Sequence, residues 1–262
     1  MKTALALLFA AGCIDAAVAQ NADSGPEHAA DAIFGAEAMA RSRDVLLREN
    51  GHFRAAMVLA DELEWTRENG ANAYRWDLQG WYGGDHDKLW LKSTGEDGAG
   101  ATTRTAELQA LWSHAVLPFF DLQAGLRHDF RPGPSRSYAV LGLQGLVPYE
   151  FELDAALFLS ERGDLGARVE FSHDLRLTQR LILQPELEAE LSAQDVPELG
   201  IGSGLGSAAF GLRLRYEFAR EFAPYLGLHY ERRFGATRNY AEAASAHTGD
   251  EWQFLAGLRA WF

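Results

Sequence analysis

The sequence predicts an all-β fold, an antiparallel transmembrane β-barrel of about twelve strands preceded by a short helical or irregular N-terminal segment. Three observations carry this. Apolar or small side chains sit at 252, 254, 256, 258, 260 and 262, so the chain closes on an alternating strand with an aromatic last residue, Phe262. The first residues read as an export signal. Between the two ends lie repeated segments of two-residue alternation, and no run of about eighteen apolar residues that a membrane helix would need.

In chain order, Lys2 gives a positive start, residues 4–11 are apolar, and Ala17-Val18-Ala19 fits a small-residue cleavage site before Gln20. Residues 1–19 are therefore read as a signal peptide, which removes Cys13 and leaves no cysteine. Cleavage before Cys13, as in a lipoprotein, is the alternative, with Ala10 standing where a larger aliphatic is usual. Residues 20–54 are Ala-rich and carry a candidate helix over about 27–48. They are read as a periplasmic segment that stays in the periplasm or enters the barrel.

Residues 55–262 form the barrel. Alternation marks strands at roughly 55–66, 73–83, 87–95, 103–114, 118–130, 137–147, 149–160, 164–175, 180–192, 206–219, 223–234 and 251–262. In 149–160, Phe151, Leu153, Ala155, Leu157 and Leu159 face one way while Glu150, Glu152 and Asp154 face the other. In 180–192, Leu181, Leu183, Leu187, Ala189 and Leu191 oppose Gln184, Glu186, Glu188 and Glu190. An even strand count puts both barrel ends in the periplasm. Short links near 115–117, 147–149, 176–179 and 220–222 are then periplasmic, and longer ones near 96–102, 193–205 and 235–250 extracellular.

The polar face is rich in charge. The inward set includes Glu62, Glu64, Asp77, Glu107, Asp121, Glu150, Glu152, Asp154, Glu170, Glu186, Glu188, Glu190, Glu217 and Glu231. Facing them are Arg75, Lys88, Lys92, Arg127, Arg168, Arg213, Arg215, Arg233 and Arg259. Such charges must pair inside a narrow tube. They read either as a salt-bridged scaffold or as a cation path, since an acidic excess favours cations. The formal net charge of −13 argues against a nucleic-acid partner. Abundant aromatics near strand ends point to outer-membrane lipid instead.

Several stretches resemble one known family. They are Trp81-Tyr82-Gly83-Gly84-Asp85 with Lys88-Leu89-Trp90-Leu91-Lys92, Asp121-Leu122-Gln123-Ala124-Gly125, Arg131-Pro132-Gly133-Pro134, and the runs 175–185, 194–205 and 220–225. In this order and length they are similar to the copper-resistance protein B family of Gram-negative outer-membrane barrels. The resemblance implies a protein of copper homeostasis that binds copper or passes it across the outer membrane, without catalysis. It also implies partnership with periplasmic copper carriers. Family members commonly carry a Met- and His-rich segment ahead of the barrel. Here the corresponding donors are His28, Met39 and His52, with Met57 just inside the first strand. Thioethers suit Cu(I) and imidazoles Cu(II).

Among the other histidines, parity sends His114, His128 and His173 to the apolar face near strand ends, and His86 lies in a turn between Asp85 and Asp87. His229 faces inward two residues from Glu231, and the pair is the barrel's candidate cation site. Gly200, Gly202, Gly204 and Gly206 read as a mobile extracellular loop, since no helix N-terminus or Lys-Ser/Thr pair follows to cradle a phosphate. A small porin without copper selectivity is the alternative function. An outer-membrane lipid hydrolase is a more distant one, because adjacent Ser172-His173 and Ser113-His114 point to opposite faces and cannot share a proton.

Overall fold

Alternation along the chain becomes a closed sheet in three dimensions. The computed structural model describes residues 28–50, 53–68, 71–98, 102–131, 133–245 and 250–262. The expected signal peptide, His52 and His247 lie outside them. The chain divides into a unit ending at Arg54 and a unit of Ala55–Phe262.

In the first unit, the helix expected over 27–48 is two helices, α1 (Asp31–Phe34) and α2 (Ala36–Asn50). Gly35 separates them with φ 85°, a left-handed value that glycine adopts without a Cβ clash. Arg43 reaches back to grip both carboxylate oxygens of Asp31, at 2.5 and 3.1 Å. Those hydrogen bonds hold the Asp31 carboxyl below its ordinary range. Arg41–Glu37 and Arg48–Asp44 add exposed pairs one turn apart.

The second unit contains β1 (Ala55–Glu68), β2 (Ala71–Gly83), β3 (Asp87–Gly98), β4 (Thr102–Leu117), β5 (Phe120–Arg131) and β6 (Arg136–Val147). After them come β7 (Phe151–Ser160), β8 (Leu165–Ser172), β9 (Leu175–Arg176), β10 (Leu181–Ser192), β11 (Gly204–Tyr216), β12 (Phe222–Arg233) and β13 (Asp250–Trp261). Neighbours pair antiparallel, and β13 returns to pair with β1, so no edge is left open. Strands β8 and β9 share one position against β10, which makes a twelve-position barrel as the sequence predicts. The interruption at His173 and Asp174 faces Pro185 of β10, which has no N–H to donate to the ladder.

Two expectations are corrected, the inward placement of Glu150 and the reach of the strand expected over 206–219. Glu150 is exposed in the turn before β7, where Tyr149 and Glu150 have φ 70° and 62°, so it never joins the inward row. Glu217 follows the last residue of β11 and lies outside the strand. A third departure is a bulge in β1. Asp61 and Glu62 together face Arg259 of β13, which shifts the alternation by one residue. Strict alternation back from Glu62 and Glu64 would aim Met57 at lipid; the bulge turns Met57 and Leu59 inward.

The outer wall is apolar. Leu126 and Leu226 are 67% and 68% exposed, and Leu78, Leu91, Leu141, Leu157, Leu187 and Leu214 join them around the circumference. That surface is unfavourable in water at about 25 cal/mol per Å² and is stable only against hydrocarbon. Aromatics bracket it. Trp65, Tyr74, Phe130 and Trp252 are exposed near one end, and Tyr82, Trp112, Phe151, Tyr216 and Trp261 near the other. The second end holds the short turns and the chain terminus, where Phe262 and Val58 exchange backbone hydrogen bonds at 2.9 and 3.0 Å.

The opposite end carries the longer connections, and they are latched together. Arg136, at 1% exposure, binds Asp164 of the β7–β8 turn and Glu198 of the β10–β11 connection. Arg162 reaches the same Glu198 at 2.6 Å, and Gln194 donates to Gly163 O and Asp164 at 3.2 Å. Helix α3 (Gly235–Ser245) docks on this connection, with Gly202 N–H donating to Thr237 Oγ1 at 2.8 Å. The glycine run expected to be a mobile loop is thus a folded clasp. Gly202 is needed there because a Cβ would sit 2.6 Å from Ala236 Cβ and from the Thr237 nitrogen.

Two outcomes follow from these contacts. A Cβ at Gly257 would lie 2.5–2.6 Å from the Tyr225 ring. Gly257→Ala is therefore expected to lower barrel stability by about 1–3 kcal/mol in urea unfolding. In the clasp, Arg162 first and Arg136 second hold the Glu198 carboxyl below its ordinary value. The stabilisation is present above the ordinary carboxylate pKa and lost as pH falls through the lowered one. Amide protection factors at Val196, Leu199 and Gly200 should stay high at neutral pH and fall only in strong acid, whereas Arg136→Ala should lower them at neutral pH.

Candidate functional site

With one strand face against lipid, every second side chain must fill the lumen, and its contents are uneven. Part of the filling between β3 and β7 is apolar: Leu111, Val140 and Phe158 pack with Trp90, Tyr138 and Ala156. The sequence reading named charges only and missed this cluster. The signal was present, since Phe158 shares the parity of Asp154. Arg127 and Arg168 lie over the Phe158 ring at 4.6 and 5.7 Å, joining the apolar cluster to the charged remainder.

The charges are organised around arginines. Arg213, 3% exposed, binds Glu62, Glu64 (2.8 Å) and Glu186 (2.6 Å), and Tyr225 donates its hydroxyl to Glu64 at 3.1 Å. Arg168 grips both oxygens of Glu107 across the lumen at 3.1 and 3.2 Å and also reaches Glu190 at 3.0 Å. Arg127 completes that group at 2.7 Å from Glu107. Arg259 lies 2.6 Å from Asp61, and Arg215 lies 2.6 Å from Asp174. Lys92 crosses from β3 to Asp154 of β7 at 2.5 Å.

Between these groups is a cavity of about 430 Å³. Asp61, Asp77, Glu152, Asp154, Glu170 and Glu186 line it with Lys92, Arg259 and Met57. Asp77 Oδ1 is buried there without a hydrogen-bond partner.

The sequence-derived site residues are dispersed. His28 is exposed just before α1, Met39 is half-buried on α2, and His52 lies outside the described residues. Met57 lines the cavity. His229 is buried on the lumen face, but its Nδ1 faces the Arg75 guanidinium at 3.4 Å. An arginine only donates, so that nitrogen acts as acceptor. Glu231 is taken by Arg233 at 2.9 Å, so the structure gives His229 and Glu231 separate partners. His114 and Trp112 donate to Asp87 on the outer face, and His173 stacks on outward Phe151. Their neighbours Ser113 and Ser172 are buried on the lumen side, which keeps each adjacent Ser–His pair on opposite faces of the wall.

Comparison with known proteins agrees with this architecture. A family model described as "Copper resistance protein B precursor (CopB)" matches residues 54–262. Copper resistance protein B of Escherichia coli is 45% identical over 206 residues, covering 79% of this chain and 69% of that one. The Copper resistance protein B homolog of Pseudomonas syringae pv. tomato is 44% identical over 204 residues, 78% and 69% of the two chains. Among solved structures, the NanC porin superposes with a TM-score of 0.52 at 11% identity, covering 79% of this chain and 99% of that one. That likeness concerns the fold alone. An apolar outer wall, a closed twelve-position sheet and a family match over the whole barrel converge: the chain is an outer-membrane barrel that belongs to the copper resistance protein B family.

Proposed function

We propose that the protein supports copper tolerance by passing copper ions across the outer membrane through its lumen. The observation that carries this reading is the charge of the central cavity, where seven carboxylates face three cationic side chains. A low-dielectric wall focuses that imbalance into a potential that attracts cations and repels anions. Oxygen donors with a single thioether, Met57, favour Cu(II) over Cu(I) as the travelling form. The His229–Glu231 pair ranks behind the carboxylates as a copper stop, because Arg75 and Arg233 would first have to leave.

Residues 20–54 complete the proposal. Cleaved after residue 19, they would present His28, Met39 and His52 in the periplasm as a sparse pick-up site for copper delivered by carrier proteins. The aromatic belts would seat the barrel in outer-membrane lipid. A general cation porin is the second reading, favoured by one observation: among the described residues no three His, Cys, Asp or Glu side chains converge as a preformed metal site. Nothing in the geometry recommends hydrolysis.

Copper uptake into proteoliposomes separates these readings. The full mature chain is expected to pass Cu(II) faster than Zn(II) and to exclude chloride; equal rates for both metals would favour the porin. Replacing Asp77→Asn together with Glu170→Gln is expected to cut Cu(II) flux by about tenfold, the scale of one lost charge stabilisation near 1.4 kcal/mol. His229→Ala should leave flux unchanged. If His229→Ala abolished flux while the carboxylate variant did not, the His229–Glu231 pair would replace the cavity as the site.

A further inference from the structure

Of the three cations that line the cavity, Lys92 is the lysine, beside Arg168 and Arg259. Several lumen arginines are shared: Arg213 has three carboxylates, Arg168 has Glu107, Glu188 and Glu190, and Arg127 has Glu107 and Asp129. Among the described residues, Lys92 Nζ is held by one carboxylate, Asp154, at 2.5 Å. Its strand neighbours in register are the neutral Gln79 and Gln109. The side chain is 8% exposed and lines the cavity, and it spans from β3 to β7, so it lies across the lumen.

Carboxylates on the neighbouring strands share the cavity with it. Asp154 stands directly opposite Glu170 in the β7–β8 register. Asp77 stands opposite Thr94, the inward residue next to Lys92 on β3, and its buried Oδ1 has no partner. A primary ammonium on a flexible four-carbon stem is a compact point charge that can swing aside, unlike a forked guanidinium.

We propose that Lys92 sets the ion selectivity of the lumen: its ammonium occupies the place between Asp77, Asp154 and Glu170 that a permeating cation must take. Monovalent ions compete poorly with a tethered ammonium. A divalent transition-metal ion binds carboxylate oxygens more strongly and displaces it, after which the freed lysine returns when the metal moves on. This rests on the lumen being the ion path and names the residue that filters it.

Planar-bilayer recording on the full mature chain, first in KCl alone and then with Cu(II) added to one side, tests the idea. Lys92→Met is expected to raise K⁺ conductance several-fold and to erase the preference for Cu(II) over K⁺ read from the reversal potential. Lys88→Met is the control, since Lys88 pairs with Asp121 at 3.2 Å and does not line the cavity; its conductance should match the parent. The exchanged pair Lys92→Asp with Asp154→Lys should restore low K⁺ conductance, which a variant that merely loosened the barrel would not do. A Lys92→Met barrel that migrates as folded and conducts K⁺ like the parent would overturn the proposal. If the parent passes no Cu(II) into liposomes while Lys92→Met still opens a K⁺ path, copper passage fails and the blocking role of Lys92 stands.

Discussion

Enclosing charge inside a barrel presses the inward charges to find partners, and most of this molecule can be understood from that pressure. A carboxylate or guanidinium removed from water loses several kcal/mol of solvation that only well-aligned opposite charges return. Arg213 meets it with three glutamates drawn from β1 and β10, so two non-adjacent strands are fastened through one side chain. Arg168 fastens β8 to β4 in the same way. The lateral backbone ladders make the wall; these lumen contacts give the wall its cross-section. Removing one partner would leave the others buried and unmatched.

Local irregularities serve this pairing. The bulge in β1 places Asp61 beside Glu62 on one face, so Arg259 and Arg213 each receive an acid from adjacent positions. The break beside Pro185 frees Asp174 to reach Arg215 at 2.6 Å. Tyr225 can lie in the lumen and donate to Glu64 because Gly257 presents no side chain beneath its ring. Each is a place where a perfect ladder gives way to a charge contact.

Most of the wall was legible in the sequence because alternation has a period of two and each face has its own chemistry. Strands such as β6 and β10 were placed within a residue, and inward charges such as Asp77, Glu107, Asp154, Glu170 and Arg259 lie where parity puts them. What parity cannot encode is a change of phase. Met57 reads as outward until the bulge is known, and Glu150 reads as inward until its positive φ is known. Pairing is also invisible to parity. His229 and Glu231 share a face and a strand, yet their partners come from Arg75 and from Arg233. The clasp at the long-loop end escaped for a similar reason, since Arg136, Asp164 and Glu198 are far apart in sequence and meet only after three connections fold together.

The seam formed by β13 bears on how such a molecule is assembled. That one strand supplies both remaining ladders, to β12 on one side and to β1 on the other, and Phe262 ties the last residue to Val58. Until it is in place, β1 and β12 are unsatisfied edges, each able to recruit a stray strand. Export and insertion therefore face an all-or-none step at the final dozen residues. A ribosome or protease that leaves the chain short of them would deliver a long, sticky ribbon in place of a slightly smaller barrel.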